Sequence, residues 1–544
     1  MDEVEGGLHS SFSFSHLPRH TGYVCRRAYE EIIDGVLCRN NNAMHAGIGK
    51  ERSHREIAEE SRPGDSMRIS KRFKLRKTQY ELDFVDIDTD YDTPLFLDPY
   101  FLGQRQDAFS KRAARTVASF FGFFITLLRD GHVDDARELF SHLGEPNETC
   151  LGMSTGKPKG RGVGREDAGK IFESIRGSKA AQSGLLEHLE DVKLFVHGVD
   201  KDKTSDMVTN IIRRQLAEYT REQCNLWRIP LTPSVPTGFF WNPGAREWQN
   251  EHAPMLLVDG RKILFVPKGV VSYCRRYTAK RFHSEFAVTF LQNEHLRMGS
   301  ALVQYRKKDD SPYVTKKSVI LHEAPFDKDY LVRFTQAHGD VFRDFKRRSR
   351  GETSIEASAM TDIKQGDVIE HLVTALNVTK PGNTGATIYH RIAVSILELL
   401  YYPSLLCPKI EVEIDEGRRR IDLTFENAAD SGIFHRLQAK FQLNCQYIIV
   451  ECKNYSKDVN NPELDQIQGR FSPNLGRVGL MLCRTIGDRN TLFARCNDSY
   501  KANRGLVLPL CDSDLITALQ ALKDGDKNAA EKMLSDRVRD VAQR

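Results

Sequence analysis

Tyr447-Ile448-Ile449-Val450-Glu451-Cys452-Lys453, preceded by Arg420-Ile421-Asp422-Leu423-Thr424-Phe425, reads as two apolar strands, the later one ending in an acid and a lysine two residues apart. Side chains alternate across a strand, so Glu451 and Lys453 share one face while Cys452 takes the other. Charges at the end of an apolar strand cost free energy unless something compensates them, and a divalent cation together with a phosphate is one such compensation.

Around these strands the pattern predicts an apolar-faced helix over 388–401 and strands over 409–415, 419–426 and 446–453. A helix over about 462–470, a strand over 478–483, a helix after Gly487, a strand over 505–510 and a closing helix from about Asp512 come next. The expected class is α/β, in the order αβββαβ with extra elements, over residues 386–544.

Asp422 in Ile421-Asp422-Leu423, the Glu451-Cys452-Lys453 tripeptide on the next strand and the helix bearing Asp465-Gln466-Ile467-Gln468-Gly469-Arg470 together resemble the PD-(D/E)XK phosphodiesterase superfamily. Within it the likeness is to restriction-endonuclease-like, Mrr-type proteins, and it covers roughly the last third of the chain. The resemblance implies a restriction-endonuclease-like domain with a mixed central sheet and a metal-dependent endonuclease, a hydrolase of nucleic-acid phosphodiester bonds. Asp422 and Glu451 would ligate Mg²⁺, for which Mn²⁺ would substitute, with the Cys452 carbonyl as another ligand. Glu398, in Leu397-Glu398-Leu399, stands where the family often places a further acid. Hard oxygen donors suit magnesium, and the ion would polarise the phosphate and help turn a water into the nucleophile. Lys453 would hold or help deprotonate that water and offset charge on the phosphorane oxygens. Gln466 is preferred as the glutamine facing the site, although helical spacing leaves Gln468 open.

By the same likeness the favoured substrate is double-stranded DNA, with RNA left open, and the setting is antiviral defence or restriction in the cytoplasm. Self-association or a separate ATPase or helicase partner would supply control. Arg418, Arg420 and Arg470 are candidates for phosphate contact, with solvated charge an equal alternative for the first two; Arg484 is placed on the same sheet edge. Cys452 is read as a core thiol and His390 as a helix-surface residue. The gap between Asp422 and Glu451 is long for the family, so residues 428–444 must loop out between the strands, and Asp415 is an alternative acid if the register differs. The rival reading is a non-catalytic nucleic-acid-binding or scaffold protein, its triad a structural ion pair. The intact trio Asp422, Glu451 and Lys453 counts against it.

At 544 residues, two or three domains are expected. Hydrophobic residues at 40% and charged residues at 28% describe a globular chain, and a net charge of +5 makes any nucleic-acid surface a local one. The 11 cysteines lack a C-x-x-C pair, which argues against a zinc ribbon and against a disulfide framework. The apolar run 117–128 falls short of the about 20 residues that cross a bilayer, so it reads as a buried helix and no membrane partner is expected. Met1-Asp2-Glu3-Val4-Glu5 lacks the basic-then-apolar order of a secretory leader.

Residues 1–70, with only short apolar patches such as 32–37, read as a loosely ordered segment, and residues 71–350 as an α+β recognition or regulatory region. The acidic stretch 83–92 reads as strand alternation and a turn, since it lacks the glycine and final glutamate of an EF-hand loop. Helices are expected at 107–129, at 133–143 and through 165–223 with a break near Gly198, Arg213-Arg214 lying on a polar face. The glycine-rich basic loop 152–165 does not fit a P-loop, because Pro158 follows Lys157, and it reads as a solvated loop. Lys262–Pro267 reads as a strand ended by proline. Polar and turn residues mark 351–385 as a linker.

Overall fold

The computed structural model describes residues 67–153, 164–351, 353–414 and 416–543. The opening segment, most of the glycine-rich loop and Asp415 lie outside the described residues. Residues 66–544 group as one compact unit.

The first half of this unit is chiefly helical. Asp107 caps a long helix, Ala108–Arg129, by accepting the Ser110 N–H at 2.7 Å. That helix buries Phe109, Phe120, Phe121 and Phe124 at helical spacing, so the apolar run is core. A three-stranded antiparallel sheet is made by Thr232–Pro236, His252–Val258 and Arg261–Ile263, and a hairpin pairs Phe240–Asn242 with Glu247–Gln249.

Three expectations for this half need correction. Residues 83–92 form isolated bridges such as Phe84 with Pro267, not an alternating strand, because Asp83 and Asp86 are themselves buried with partners. Arg213 does not face water: it is buried and donates to Glu148 at 2.6 Å. The stretch expected to be a linker holds a helix, Gln365–Val378, with Val368, Ile369, Leu372 and Leu376 buried.

The second half is built on a mixed five-stranded sheet. Its strands are β1 (Leu405–Ile414), β2 (Arg419–Asn427), β3 (Tyr447–Lys453), β4 (Val478–Cys483) and β5 (Leu506–Cys511). The order is β5-β4-β3-β2-β1; β1, β2 and β3 pair antiparallel in succession, and β3, β4 and β5 pair parallel. Every residue of β4 and β5 is buried, the continuous apolar run expected of parallel strands covered on both faces. Three helices flank the sheet near its rim: α1 (Asn383–Tyr401), α2 (Gly432–Ala439) and α3 (Asn461–Gln468), the last packing on β4 and β5. The segment expected to loop out between β2 and β3 contains α2. No helix among the described residues is long and apolar enough to cross a membrane.

Candidate active site

The β2–β3 ladder pairs Ile449 with Thr424 and Val450 with Leu423, then stops. The next opposed positions are Glu451 and Asp422, which by antiparallel register share one face. There the Cys452 N–H donates to Asp422 Oδ2 at 2.9 Å, so the aspartate side chain takes a donor of β3 just past the last rung of the ladder. Two strands parting at an acid pair make an opening at the rim of an otherwise buried sheet.

Glu451 and Lys453 occupy that opening. Lys453 Nζ donates to Glu451 Oε1 at 2.8 Å and to Gln466 Oε1 at 2.7 Å. Both charged residues are deeply buried, whereas the Asp422 side chain retains 24% exposure. Arg470 Nε lies 3.4 Å from Glu451 Oε2 and donates to the Arg420 carbonyl at 2.6 Å. Glu451 Oε2 accepts no hydrogen bond although it is sealed from solvent. Burial, and then the Asp422 charge, push the Glu451 carboxyl above its ordinary pKa, against Lys453 and Arg470.

Gln466 reaches the site because α3 docks closely on the sheet. Glu463 accepts the Asn460 N–H at 2.8 Å and fixes the helix start. A Cβ on Gly479 of β4 would stand 2.7 Å from Ile467 Cδ1, so the glycine lets the helix sit at this depth without displacing that side chain. Gln468 instead lines a separate open cavity of about 430 Å³ with Arg477 and Arg504.

The remaining candidates are distributed unevenly. Cys452 is buried and burial holds its thiol well above the ordinary value, as a core cysteine requires. Arg418 and Arg420 are exposed and pair with Glu416 and Glu413. Arg484 pairs with Asp512 at 2.9 Å and donates to the Leu376 carbonyl at 3.1 Å. Glu398 does not join Asp422 and Glu451. It is fully buried 3.1 Å from Lys268 Nζ, in a cluster with Asp83, which accepts the Tyr219 hydroxyl and the Cys407 N–H. Burial pushes Glu398 up to about 8, with Lys268 opposing and Asp83 adding to the rise.

The helix side chain that does approach Asp422 is His390, eight residues earlier on α1 and so about 12 Å along its axis from Glu398. The reading of His390 as a surface residue is therefore corrected: its side chain is 14% exposed and Nε2 is 3.8 Å from Asp422 Oδ2. Burial lowers its pKa, with Asp422 and Glu411 opposing. Glu411 itself stands across from Asp422 on β1, between the pairs Ile410–Leu423 and Val412–Ile421, with a left-handed φ of 52°. Nothing in the sequence marks His390, since a lone histidine on an amphipathic helix has many uses.

The sequence model of a domain of unknown function (DUF8370) matches residues 74–278. That segment contains Asp83, Tyr219 and Lys268 and none of the rim residues. No curated protein and no solved structure matches the chain. Among the described residues, the group of three or more ligand-type side chains already within reach of one another is His197, Asp327 and Asp329. Asp329 there is paired with Lys179 at 2.9 Å, and the Asp327 carboxylate caps a helix by accepting the Tyr330 N–H at 2.9 Å.

Proposed function

We propose that the chain is a PD-(D/E)XK-type, restriction-endonuclease-like nuclease that hydrolyses phosphodiester bonds with a divalent metal ion, Mg²⁺ or Mn²⁺. The observation that carries the reading is the placement of Lys453 Nζ between Glu451 Oε1 and Gln466 Oε1, at the point where β2 and β3 part beside Asp422. A purely structural ion pair needs neither the parting strands nor the second acid.

The donor set fits a cation. Glu451 Oε2 is buried without a hydrogen bond, and Asp422 has one oxygen engaged by the Cys452 N–H and the other available. Asp422 and Glu451 would hold the ion, and when bound it polarises a phosphate oxygen and favours deprotonation of an attacking water. Lys453 presents its ammonium to the attacking water and to charge growing on the phosphate oxygens, and Gln466 and Glu451 keep it from swinging away. Arg470 braces Glu451 and the end of α3 through the Gln466 carbonyl at 2.8 Å, which keeps the rim in one geometry. Double-stranded DNA is the preferred substrate, the setting restriction or antiviral defence in the cytoplasm, and a second copy or an ATPase or helicase the source of control.

Plasmid cleavage in Mg²⁺ and in EDTA, comparing the parent with Lys453→Ala, tests the reading. Metal-dependent nicking or linearisation by the parent alone is expected, with circular dichroism checking the fold of the variant. A parent that leaves DNA and RNA intact, with any cognate partner present, overturns it; cleavage of RNA alone would change the substrate but keep the chemistry.

A further inference from the structure

The open cavity of about 430 Å³ beside α3 has the size of small-molecule sites. Asp465 and Gln468 of α3, Phe471, Arg477 just before β4, and Asn503 and Arg504 just before β5 line it. Phe471 reaches it because two glycines make room. A Cβ on Gly479 would stand 3.1 Å from the Phe471 ring, and one on Gly505 would stand 2.5 Å from it. Backbone bonds fix the charged wall: the Arg477 N–H donates to the Asn444 carbonyl at 2.6 Å, the Arg477 carbonyl accepts the Leu506 N–H at 2.8 Å, and the Arg504 N–H donates to the Ser499 carbonyl at 3.0 Å. Asn503 follows the helix Arg489–Lys501 with a left-handed φ of 55°, and its Oδ1 accepts from Arg477 Nη1 at 3.4 Å. Among the described residues, Arg477, Arg504 and Asp465 form no ion pair although all three line one cavity. Neighbouring arginines are paired, Arg470 with Glu451 and Arg484 with Asp512. Two unpaired guanidiniums, an unpaired carboxylate, two amides and an aromatic ring thus surround one space.

We infer that this cavity binds a guanine nucleotide, its phosphate on Arg477 and Arg504, its base against Phe471 and the N–H groups of that base on Asp465. The planar donor fork of arginine matches phosphate oxygens, and every base has a face that stacks on an aromatic ring. A carboxylate has only acceptors, so it selects a base edge made of donors, and the adjacent N1–H and N2–H₂ groups of guanine meet both of its oxygens. The nucleotide has two sources, a free molecule or a unit of a strand running along α3, which carries Gln466 at the rim and Gln468 at the cavity. Recognition of this kind needs no metal ion and is independent of the nuclease reading.

Titration calorimetry on the full-length protein in EDTA, with guanosine monophosphate as the probe, tests this. The parent should bind it at least about tenfold more tightly than guanosine, inorganic phosphate or inosine monophosphate, which lacks the N2 amine. Arg477→Ala and Arg504→Ala should each weaken binding about tenfold, Asp465→Asn should erase the preference over inosine monophosphate, and Arg297→Ala, on another surface, should change nothing. A guanine-containing oligonucleotide that displaces the probe identifies a unit of a strand as the ligand, and one that leaves it bound identifies the free nucleotide. A parent that does not bind guanosine monophosphate, that binds inorganic phosphate or inosine monophosphate as tightly, or whose affinity survives both arginine substitutions overturns the inference. The ranking of ligands by the parent decides even where a variant fails to fold.

Discussion

The fold holds two clusters of two acids and a lysine, one sealed and the other at the rim of the sheet. In the first, Glu398, Asp83 and Lys268 are all 0% exposed, and the Glu398–Lys268 contact spans from α1 into the segment matched by the domain of unknown function. In the second, Glu451 and Lys453 are as deeply buried, but Asp422 is partly open to solvent. A sealed pair joins the two halves of the fold and has no access for a substrate. Burial and an unpartnered carboxylate oxygen occur in both clusters, so the opening beside Asp422 is what sets the rim apart.

Matched substitutions in the two clusters break or sharpen that contrast. The largest effect belongs to Glu451→Gln, which keeps the shape and removes the charge: metal-dependent cleavage should fall about 10³-fold, read by single-turnover kinetics, with little change in melting temperature. Lys268→Ala should do the reverse. Removing the buried cation from between Glu398 and Asp83 leaves both carboxyls without it, at a cost of about 3 kcal/mol, so denaturant unfolding should show a large loss of stability while the folded fraction still cuts. Equal loss of cleavage in folded Lys268→Ala would mean that the sealed cluster reaches the chemistry. Gly479→Ala pushes a methyl group against Ile467 and should cost about 1–3 kcal/mol, with cleavage reduced because Gln466 moves with α3.

Glu398→Gln should have the smallest effect, and a distinctive pH signature. With its pKa raised to about 8 by burial, Glu398 keeps its proton in the folded chain at pH values where the unfolded chain has lost it. Its contribution to stability is full below about pH 4.5 and is lost as pH rises through about 8. Melting temperatures across that window should slope down in the parent and less steeply in Glu398→Gln. An identical slope in both would place the titration elsewhere.

The rim is legible in the sequence and the sealed cluster is not, for a reason of distance along the chain. Glu451 and Lys453 are two residues apart on an apolar strand, Asp422 lies on the strand before, and period-2 alternation alone puts the pair on one face. Strand and helix order from α1 to β5 emerges from the same periodicities, except for α2, which lies in the segment read as a loop. Glu398, by contrast, is misplaced by the family resemblance because its partners Lys268 and Asp83 come from the other half of the chain, and local patterning carries no long-range pairing. His390 escapes for the same reason, its place beside Asp422 being set by where α1 crosses β2. The acidic stretch 83–92 passes for an alternating strand because buried aspartates with tertiary partners look, in sequence, like solvent-facing ones.

The most direct test is an anomalous difference map from crystals of the protein soaked in Mn²⁺. A peak bonded to the carboxylates of Asp422 and Glu451, with none at Glu398 and Lys268, is the expected result. A map with no peak at the parting of β2 and β3, or with density only at His197, Asp327 and Asp329, would contradict a metal-dependent centre on this rim.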